Sequence, residues 1–575
     1  MKTYCKAEMK FVDVTALEDA TVSTPDNQSI GSVKLFAKQI PQNAYGTSEV
    51  NQFILDGSKN ILTESPTDIA FWNESLSNAN CEFEKNPQII ISFSSMHSSS
   101  ALTLYFIDEA PAEIKITWYS LYGSMLAQET YYPETCIFVC DKQIENYGKI
   151  VIEFIKTSFP KRYVKLQYIL YGKYIVWGEE LIKEASIQED IDVTSATIPI
   201  NEANISIVDT DNDFDAENEN GAWKSIQKTQ EIVLTEYKGK MPIQMGTFYM
   251  DDFSFTGNIA KFSLVDTIGL LDKYTFYEGQ IYVNVKAADI IKNIFKSAGI
   301  TKYLIDDDVG NILLSGYLAI QKCRQALQKV CFACGAVADD SRSNIVHIYK
   351  PDRYVKSTVG LDRKLNGNTK ITLDTYVSGV SIECTQYELE EKNSEIFKGT
   401  LASGNTKITF SKPYLSTSIS ITAGTIVEVK TNYLVIHMAT AGECVISGKK
   451  YNDSSFAYQK NVAVIDAGET ENIKKFSGCT IYNIGLLNEI ATSLLEYFRL
   501  RKKVSMKYLM DLEKVGQWAN INQIGGNTST SLIESQSIDL TGGYIATASC
   551  RGYSAVVTDL YYTGNEMYLG GDVII

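Results

Sequence analysis

The stretch IKITWY at residues 114–119 alternates apolar and polar side chains, which is the pattern of a strand with one face buried in a core. Four neighbouring runs have the same character and are separated by turn-forming residues: IIISFS (89–94), LTLYF (102–106), IVIEFI (150–155) and VKLQYI (164–169). Short strands at this spacing are typical of two antiparallel sheets packed face to face. We therefore predict a self-contained β-sandwich at residues 47–172.

Strand-like runs continue on both sides of this sandwich. Residues 9–33 have the pattern of a strand pair with a Pro-Asp-Asn turn signal, and strands resume after Gly172. The simplest arrangement is a β domain that opens at residues 1–46 and continues at residues 173–280. In this arrangement the sandwich is an insertion.

Three segments further along the chain have helical periodicity. Ala287–Ala298 is followed by Gly299, Ile320–Cys334 by Gly335, and Ile484–Leu500 by cations that suit the negative end of a helix dipole. They predict a helix-containing α+β domain at 281–368, a second β domain at 369–480, and a helix with closing strands at 481–575. The expected fold class is mainly β with a few helices, in several domains.

Composition narrows the classes of function. The chain has 575 residues and a formal net charge of −16, with the acids spread along its length, which disfavours a nonspecific nucleic-acid groove. The N-terminal MKTYCKAEMKF lacks the features of a signal peptide, and no apolar run approaches the ~18 residues that span a bilayer. We expect no membrane span and assembly in the cytosol. The 11 cysteines lack disulfide-scaffold spacing, so thiols are expected.

No motif for catalysis is recognised. His97, His347 and His437 each lie in or next to a strand-like run, without a second histidine at ligand spacing and without a nucleophile elbow. Walker, Rossmann and HExxH motifs are also absent. We predict structural roles for the histidines, a protein that is not an enzyme, and no catalytic, cofactor-binding or metal-binding residues.

Two cysteine pairs have alternative interpretations. Cys331 and Cys334 form a CxxC motif, which fits a redox pair or half of a metal site. Because the motif lies at the C-terminal end of a predicted helix and on its apolar stripe, core packing is favoured. Cys136 and Cys140 lack a matching second pair, so a zinc site is disfavoured there.

An acidic loop resembles a calcium-binding loop in its alternation. Phe214 occupies the position at which an EF-hand requires glycine, and Asn220 occupies that of the bidentate glutamate. A solvated loop is therefore favoured over adventitious cation binding. The acids concerned are Asp209, Asp211, Asp213, Asp215, Glu217 and Glu219.

Several separated stretches resemble one family. They are NQFILDGS (51–58), NPQIIISF with MHSSSALTLYF (86–106), GTFYMDD with LVDTIGLLD (246–272), ALQKVCFACGA (326–336), and LLEYFRLR with SIDLTGGY (494–544). In order and spacing the chain resembles the tail hub and tail-associated baseplate proteins of phages and prophages of Gram-positive bacteria.

This resemblance implies an architecture and partners. Two tube-protein-like β domains per chain would form a homotrimeric ring with pseudo-sixfold symmetry, which matches a hexameric tail tube. The implied partners are a tail tube or distal tail protein on one face and a spike, fibre or tape-measure protein on the other. The implied location is the virion tail tip or baseplate, where DNA or cargo passes without sequence-specific nucleic-acid binding.

The predicted sandwich is similar to galactose-binding, discoidin-like modules. This implies a second possible function, a receptor-binding tail protein that recognises a host surface glycan. The candidate stacking residues are Trp72, Trp118, Tyr131 and Tyr132, and the alternative is that they are core or interface residues. A hydrolase that uses unrecognised carboxylates is the third hypothesis.

Overall fold

The protein is mainly β with a few helices, as predicted. The computed structural model describes residues 2–12, 14–25, 28–30, 71–99, 101–107, 109–210, 212–215, 217–218, 223, 226, 229–365, 369–523, 526–555, 561–562 and 568–569. Within these residues, no helix is long and apolar enough to cross a bilayer. The chain divides into two compact units, residues 8–177 with 209–232, and residues 1–7 with 178–208 and 233–575.

The first unit contains a β-sandwich. Its elements are helix α1 Val14–Asp19 and strands β2 Thr21–Ser23, β3 Gln28–Ile30, β4 Phe71–Asn73, β5 Gln88–Ser99, β6 Leu102–Phe106, β7 Glu113–Ser120, β8 Met125–Tyr131, β9 Ile137–Cys140, β10 Ile144–Lys156 and β11 Lys165–Leu170. Strands β1 Thr3–Val12 and β12 Gly172–Trp177 lie outside the two sandwich sheets. One sheet has the order β2-β5-β10-β7-β8 and the other β3-β4-β11-β6-β9. Apolar residues from both sheets, such as Ile116 and Leu104, form one core because alternate side chains of each strand point inward.

The sandwich includes residues that the prediction assigned to the opening of another domain. Strand β2 pairs with β5, with Thr21 opposite Ser92, and β3 pairs with β4. Ala16 and Ala20 are buried in the same core. The strand pair expected from residues 9–33 is thus divided, because its later strands fit the edges of the two sandwich sheets. The stretch at 51–58 lies outside the described residues.

The second unit is built around a large sheet with the order β1-β15-β16-β17-β14-β13-β37-β38-β35-β26. Its strands are β13 Ile182–Asp190, β14 Glu202–Val208, β15 Glu231–Lys238, β16 Met241–Thr256, β17 Ile259–Val265, β25 Val355–Val359, β26 Lys370–Leu373, β35 Lys502–Leu509, β36 Trp518–Asn522, β37 Thr528–Asp539 and β38 Ile545–Ala555, with β36 joining β25 to β37. Two further short strands are β39 Tyr561–Tyr562 and β40 Tyr568–Leu569.

An α+β segment lies between the two sets of strands in sequence. It contains β18 Thr275–Phe276, β19 Ile281–Lys286, β20 Tyr303–Ile305, β21 Leu313–Tyr317, β22 Gln321–Lys322, β23 Val337–Asp339 and β24 Val346–Tyr349, with helices α2 Thr267–Leu271, α3 Ala287–Ser297, α4 Asp307–Gly310 and α5 Cys323–Cys334. The two predicted helices are confirmed as α3 and α5. Their apolar faces share one core, and Gly335 ends α5 in the left-handed conformation at φ 61°.

A long antiparallel ribbon follows, formed by β27 (Gly379–Leu401) and β32 (Gly442–Asn461), at the centre of a sheet with the order β29-β32-β27-β33. Associated elements are β28 Gly404–Thr409, β29 Ser420–Ile421, β30 Thr425–Val429, β31 Tyr433–Met438, β33 Ile473–Cys479, β34 Ile481–Tyr482, 3₁₀ turns Leu361–Arg363 and Ser416–Ser418, and α6 Leu487–Arg499, the third predicted helix. The segment predicted as a second β domain, 369–480, is mostly this ribbon. Much of the ribbon's middle is exposed on both faces, so it is not a strand pair of the large sheet.

Candidate functional site

The large sheet is continuous through one antiparallel strand pair, β13 with β37, which we call the seam. Ile187 lies opposite Ile538, and both side chains are buried. The pairing extends beyond the strands, because the Ile191 N–H donates to the Glu534 carbonyl at 2.9 Å and the Leu540 N–H to the Ala185 carbonyl at 2.9 Å. Strands of residues 182–265 and strands of residues 502–555 therefore belong to one sheet, although the α+β segment and the ribbon separate them in sequence.

A buried ion pair crosses the seam. Arg342 Nε donates to Glu189 Oε1 at 2.8 Å, and its Nη2 donates to Glu189 Oε2 at 3.0 Å and to Gln536 Oε1 at 3.0 Å. Gln536 in turn donates to the Tyr508 hydroxyl at 3.2 Å. Burial is the largest single influence and disfavours the charged guanidinium, but the charge and hydrogen bonds of Glu189, with smaller contributions from Tyr544 and Tyr508, together leave the pKa of Arg342 above its usual value. One side chain from the loop after β23 thus holds both seam strands.

A second arginine fixes the end of α6 against the same sheet. Arg551 in β38 donates to Asp374 Oδ2 at 2.6 Å, to Glu534 Oε1 at 2.9 Å and to the Leu500 carbonyl at 3.0 Å. Its guanidinium also lies 4.9 Å from the centre of the Tyr497 ring. Burial raises the pKa of Asp374, but hydrogen bonds from Arg551 and Lys503 outweigh burial and leave it below the usual value.

Two fully buried carboxyl groups meet where α2 begins. Asp266 accepts from the backbone N–H groups of Asn201 and Gly269, each at 2.7 Å, and Asp340 accepts from Thr267 N–H at 2.8 Å. Burial first, and then the neighbouring carboxylate, raise the pKa of Asp266 well above its usual range. The two carboxyl groups tie α2 to the segment after β23, because Asp340 accepts from the first N–H group of α2 while Asp266 caps the helix.

Glu236 is a further buried carboxyl group, in β15 of the large sheet. Burial raises its pKa from 4.5 to about 7, and the charge of Asp539 acts in the same direction. Glu236 follows Ile232 and Leu234 on the buried face of β15, and alternation is the one sequence signal for its burial. Arg342 lies in a polar loop after β23, where no sequence pattern distinguished it.

The four predicted glycan-facing aromatics are not brought together on one exposed face. Trp118 is buried in the sandwich core, and Trp72 is buried against Tyr163 and Lys165, so neither ring is exposed in this chain. Trp118 points into the core because the alternation of β7 places it on the same face as Ile114 and Ile116, whereas in β4 the core residue is Phe71 and alternation places Trp72 on the other face. Tyr131 is half-buried and its hydroxyl donates to Glu129 at 2.6 Å, whereas Tyr132 is 67% exposed.

Tyr122, in the turn between β7 and β8, is more exposed than any of these four residues and was missed. Tyr122 at its tip is 87% exposed, and Leu121, Met125 and Leu126 beside it are also exposed. The signal in the sequence was a turn at Gly123 inside SLYGSML, a run without a charge.

The histidines make structural contacts. His97 Nε2 lies 2.8 Å from Asp19 Oδ2 and 3.2 Å from Ser95 Oγ. Because the carboxylate and the hydroxyl meet the same ring nitrogen, the geometry is not that of a Ser-His-Asp relay. Hydrogen bonds from Ser94 first, and then from His97, hold the pKa of Asp19 well below its usual range. His347 pairs with Asp306, and His437 with Asn405, each at 2.8 Å.

The cysteines of the CxxC motif are packing residues. Cys331 and Cys334 are buried on the apolar face of α5 at its C-terminal end, as the favoured interpretation predicted. Burial raises the pKa of the Cys334 thiol to about 12, and that of Cys140 also to about 12. In the described part of the chain, no group of three or more His, Cys, Asp and Glu side chains could hold a metal ion.

The acidic loop folds back on itself. Asp209 is buried, and its carboxylate accepts from the Asp213 N–H at 3.1 Å and the Phe214 N–H at 2.9 Å. Phe214 is buried as well. The loop is therefore not uniformly solvated, because Asp209 serves as its internal cap. Asp211, Glu219 and Asn220 lie outside the described residues.

Comparison with known proteins gives structural matches only. No protein-family model and no curated protein matches the chain. A tail protein of Neisseria meningitidis MC58 is 11% identical with a TM-score of 0.40, covering 64% of this chain and 92% of that one. The 43 kDa tail protein of prophage MuSo2 of Shewanella oneidensis is 13% identical with a TM-score of 0.37, covering 64% and 93%. The prophage tail protein gp18 of Listeria monocytogenes EGD-e is 8% identical with a TM-score of 0.34, covering 64% and 94%. These values do not establish a family.

Proposed function

We propose that the chain is a structural hub protein at the tail tip or baseplate of a tailed phage or a phage-like injection machine. Three copies form a ring that joins the tail tube, or a distal tail protein, to a spike, fibre or tape-measure protein. DNA or cargo passes through the ring. The protein is assembled in the cytoplasm of the host bacterium and acts without catalysis.

The main support for this proposal is that the large sheet is continuous through the β13–β37 strand pair at the seam. A ring that fits a sixfold tube with three chains needs two β modules per chain in a fixed relation to each other. Strand pairing between β13 and β37 supplies such a relation, since a hydrogen-bonded sheet resists bending between neighbouring strands far better than a flexible linker does. The order of the sequence stretches that resemble tail hub proteins supports the same role.

Charge is consistent with a passage for DNA. A net charge of −16 gives the ring a field that repels a polyanion, so that DNA slides past the protein and is not held by it.

The experiment is reconstitution with the tail tube protein encoded in the same genome. Negative-stain images of the mixture should show this chain as a cap on one end of each tube. The variant Arg342→Met lacks the side chain that crosses the seam. It should reduce the fraction of capped tubes. Tubes that remain bare with the wild-type chain would overturn the proposal.

A second candidate function is recognition of a host glycan through the sandwich. Tyr132, exposed at the end of β8, is the one predicted stacking residue that offers an open ring face. A sugar that stacks there should raise the thermal midpoint of the wild-type chain and not of Tyr132→Ala. Tyr354→Ala, which removes an exposed ring from the other compact unit, is the matched control and should retain the shift.

A further inference from the structure

Two cysteines lie side by side where the ribbon joins its core. Cys384 of β27 and Cys479 of β33 are Cα partners in a parallel strand pair, directly after an irregularity in its register. Neighbouring strands lie about 4.8 Å apart, and both cysteines are buried in the same apolar core. A disulfide requires Cα atoms at about 4.4–6.8 Å, so the backbone spacing fits a bond between these two sulfurs.

The surroundings keep both thiols close to one another. They belong to the core that β27 and β33 form with α6, and Cys384 is fully buried while Cys479 is almost so. The Cys479 thiol donates to the Ile481 carbonyl at 3.2 Å, and its contact with Cys384 lowers the pKa of the Cys384 thiol, whereas the same contact and burial raise the pKa of Cys479. Cys384 is therefore the thiol of the pair that ionises first.

The other close pair in the second unit differs in its electrostatics. Cys331 and Cys334 lie one turn apart on α5. Burial raises the pKa of the Cys331 thiol well above its usual value and that of the Cys334 thiol to about 12. This pair therefore serves as an internal control for neighbouring thiols of which neither has a lowered pKa.

We propose that Cys384 and Cys479 are a modification site at which a small peroxide forms a disulfide between β27 and β33. In the first step the Cys384 thiolate attacks one peroxide oxygen, the O–O bond breaks, and the sulfur becomes a sulfenic acid as hydroxide leaves. In the second step the Cys479 sulfur attacks the sulfenic sulfur, and the hydroxyl group leaves as water with the thiol proton. Overall, two thiols are oxidised and one hydrogen peroxide is reduced to two waters.

The bond would lock the base of the ribbon. It would join β27 to the strand that leads into α6 and close a covalent loop that contains the ribbon and the small sheets at its far end. A cross-link of this kind restricts the unfolded chain, so the oxidised protein should have the higher thermal midpoint. This inference does not depend on the proposed hub function.

The test is peptide mapping of the purified full-length chain after treatment with hydrogen peroxide. Free thiols are blocked in denaturant before digestion with trypsin, without reductant. Cleavage after lysine and arginine places Cys384 alone in peptide 371–392, Cys479 alone in peptide 476–499, and both cysteines of the control pair in peptide 330–342. We expect the two single-cysteine peptides to become linked, the link to disappear on reduction, and peptide 330–342 to remain blocked as free thiols.

Variants separate the two steps. Cys479→Ser should stop the reaction at the sulfenic acid of Cys384, which dimedone would label, and Cys384→Ser should abolish the linked peptides. The proposal is overturned if both cysteines of the wild-type chain stay reduced, if they end as sulfinic or sulfonic acids without a link, or if the control pair oxidises equally fast.

Discussion

Arg342 brings a positive charge into the buried seam of the large sheet, where Glu189 and Gln536 accept its hydrogen bonds. Two charges removed from water gain little net stability, because desolvation offsets most of their attraction. Removing one of them is far more costly, because the other is left buried and unpaired. The main effect of the ion pair is therefore to fix the positions of the two seam strands and of the loop after β23 relative to one another.

Arg342→Met should lower the free energy of unfolding of the second unit by about 3–5 kcal/mol, since it leaves the Glu189 carboxylate unpaired. Arg342→Met combined with Glu189→Met should recover most of this loss. The matched control is Arg353→Ala, which breaks an exposed pair with Glu496 and should cost at most ~1 kcal/mol. Urea denaturation measures all three variants. A double variant as unstable as the single one would contradict this account of the pair.

Glu236 predicts a pH dependence of stability. Its pKa is raised from 4.5 to about 7 in the folded protein, so its contribution is complete below the unfolded value and is lost as the pH rises through the folded one. Compared with Glu236→Gln, the wild-type chain should lose about 3 kcal/mol of stability between about pH 4 and about pH 8. Denaturation of both proteins across this range measures the difference.

A control for Glu236 is Glu395→Gln, at an exposed position in the ribbon, which should keep the wild-type pH profile. A difference between wild type and Glu236→Gln that stays constant with pH would mean that the Glu236 carboxyl group titrates normally.

At the scale of elements, the seam determines whether the second unit has one sheet or two. Ile187 and Ile538 place buried apolar side chains on adjacent strands, and the backbone pairing extends beyond both strand ends. If the sheet is a single cooperative element, the two strands should open together when either one is weakened.

Ile538→Ala should cost about 2–5 kcal/mol, because it leaves a cavity between β37 and its neighbours. Hydrogen exchange should then show faster exchange at the Ile191 and Leu540 N–H groups, which donate across the seam. Ile371→Ala in the edge strand β26, where the side chain is 47% exposed, should leave these amides protected. Faster exchange in β37 alone would show that the two halves of the sheet are independent.

Local periodicity explains which elements were predictable. The strands of the sandwich and helices α3, α5 and α6 follow from apolar residues at regular spacing, and so does the packing role of Cys331 and Cys334. Pairing between distant strands has no such signal. The place of β2 and β3 in the sandwich, and the extended ribbon within 369–480, depend on partners far away in sequence.

The candidate site was less predictable than the fold. Arg342, Gln536 and Glu189 come from three segments that only the sheet topology brings together. The aromatic residues proposed for glycan binding show that residue type alone does not establish exposure. Trp118 is an aromatic in an alternating strand, and residue type alone does not tell which face of that strand points into the core.

For the whole molecule, the account requires association of chains. In a ring of three chains each chain takes part in two interfaces, and a specific, stable interface buries about 1,200–2,000 Å². Such an assembly stabilises each chain by mass action, so the thermal midpoint should rise with protein concentration. A thermal midpoint that stays constant over protein concentrations at which the assembly dissociates would show that association does not stabilise the chain.

Light scattering of the purified chain, with negative-stain class averages of the same sample, shows whether three chains form a ring. We expect three times the 64.1 kDa chain mass and a ring with a central hole. A mass of 64.1 kDa at every concentration, with no ring even in the presence of the tail tube protein, would contradict it.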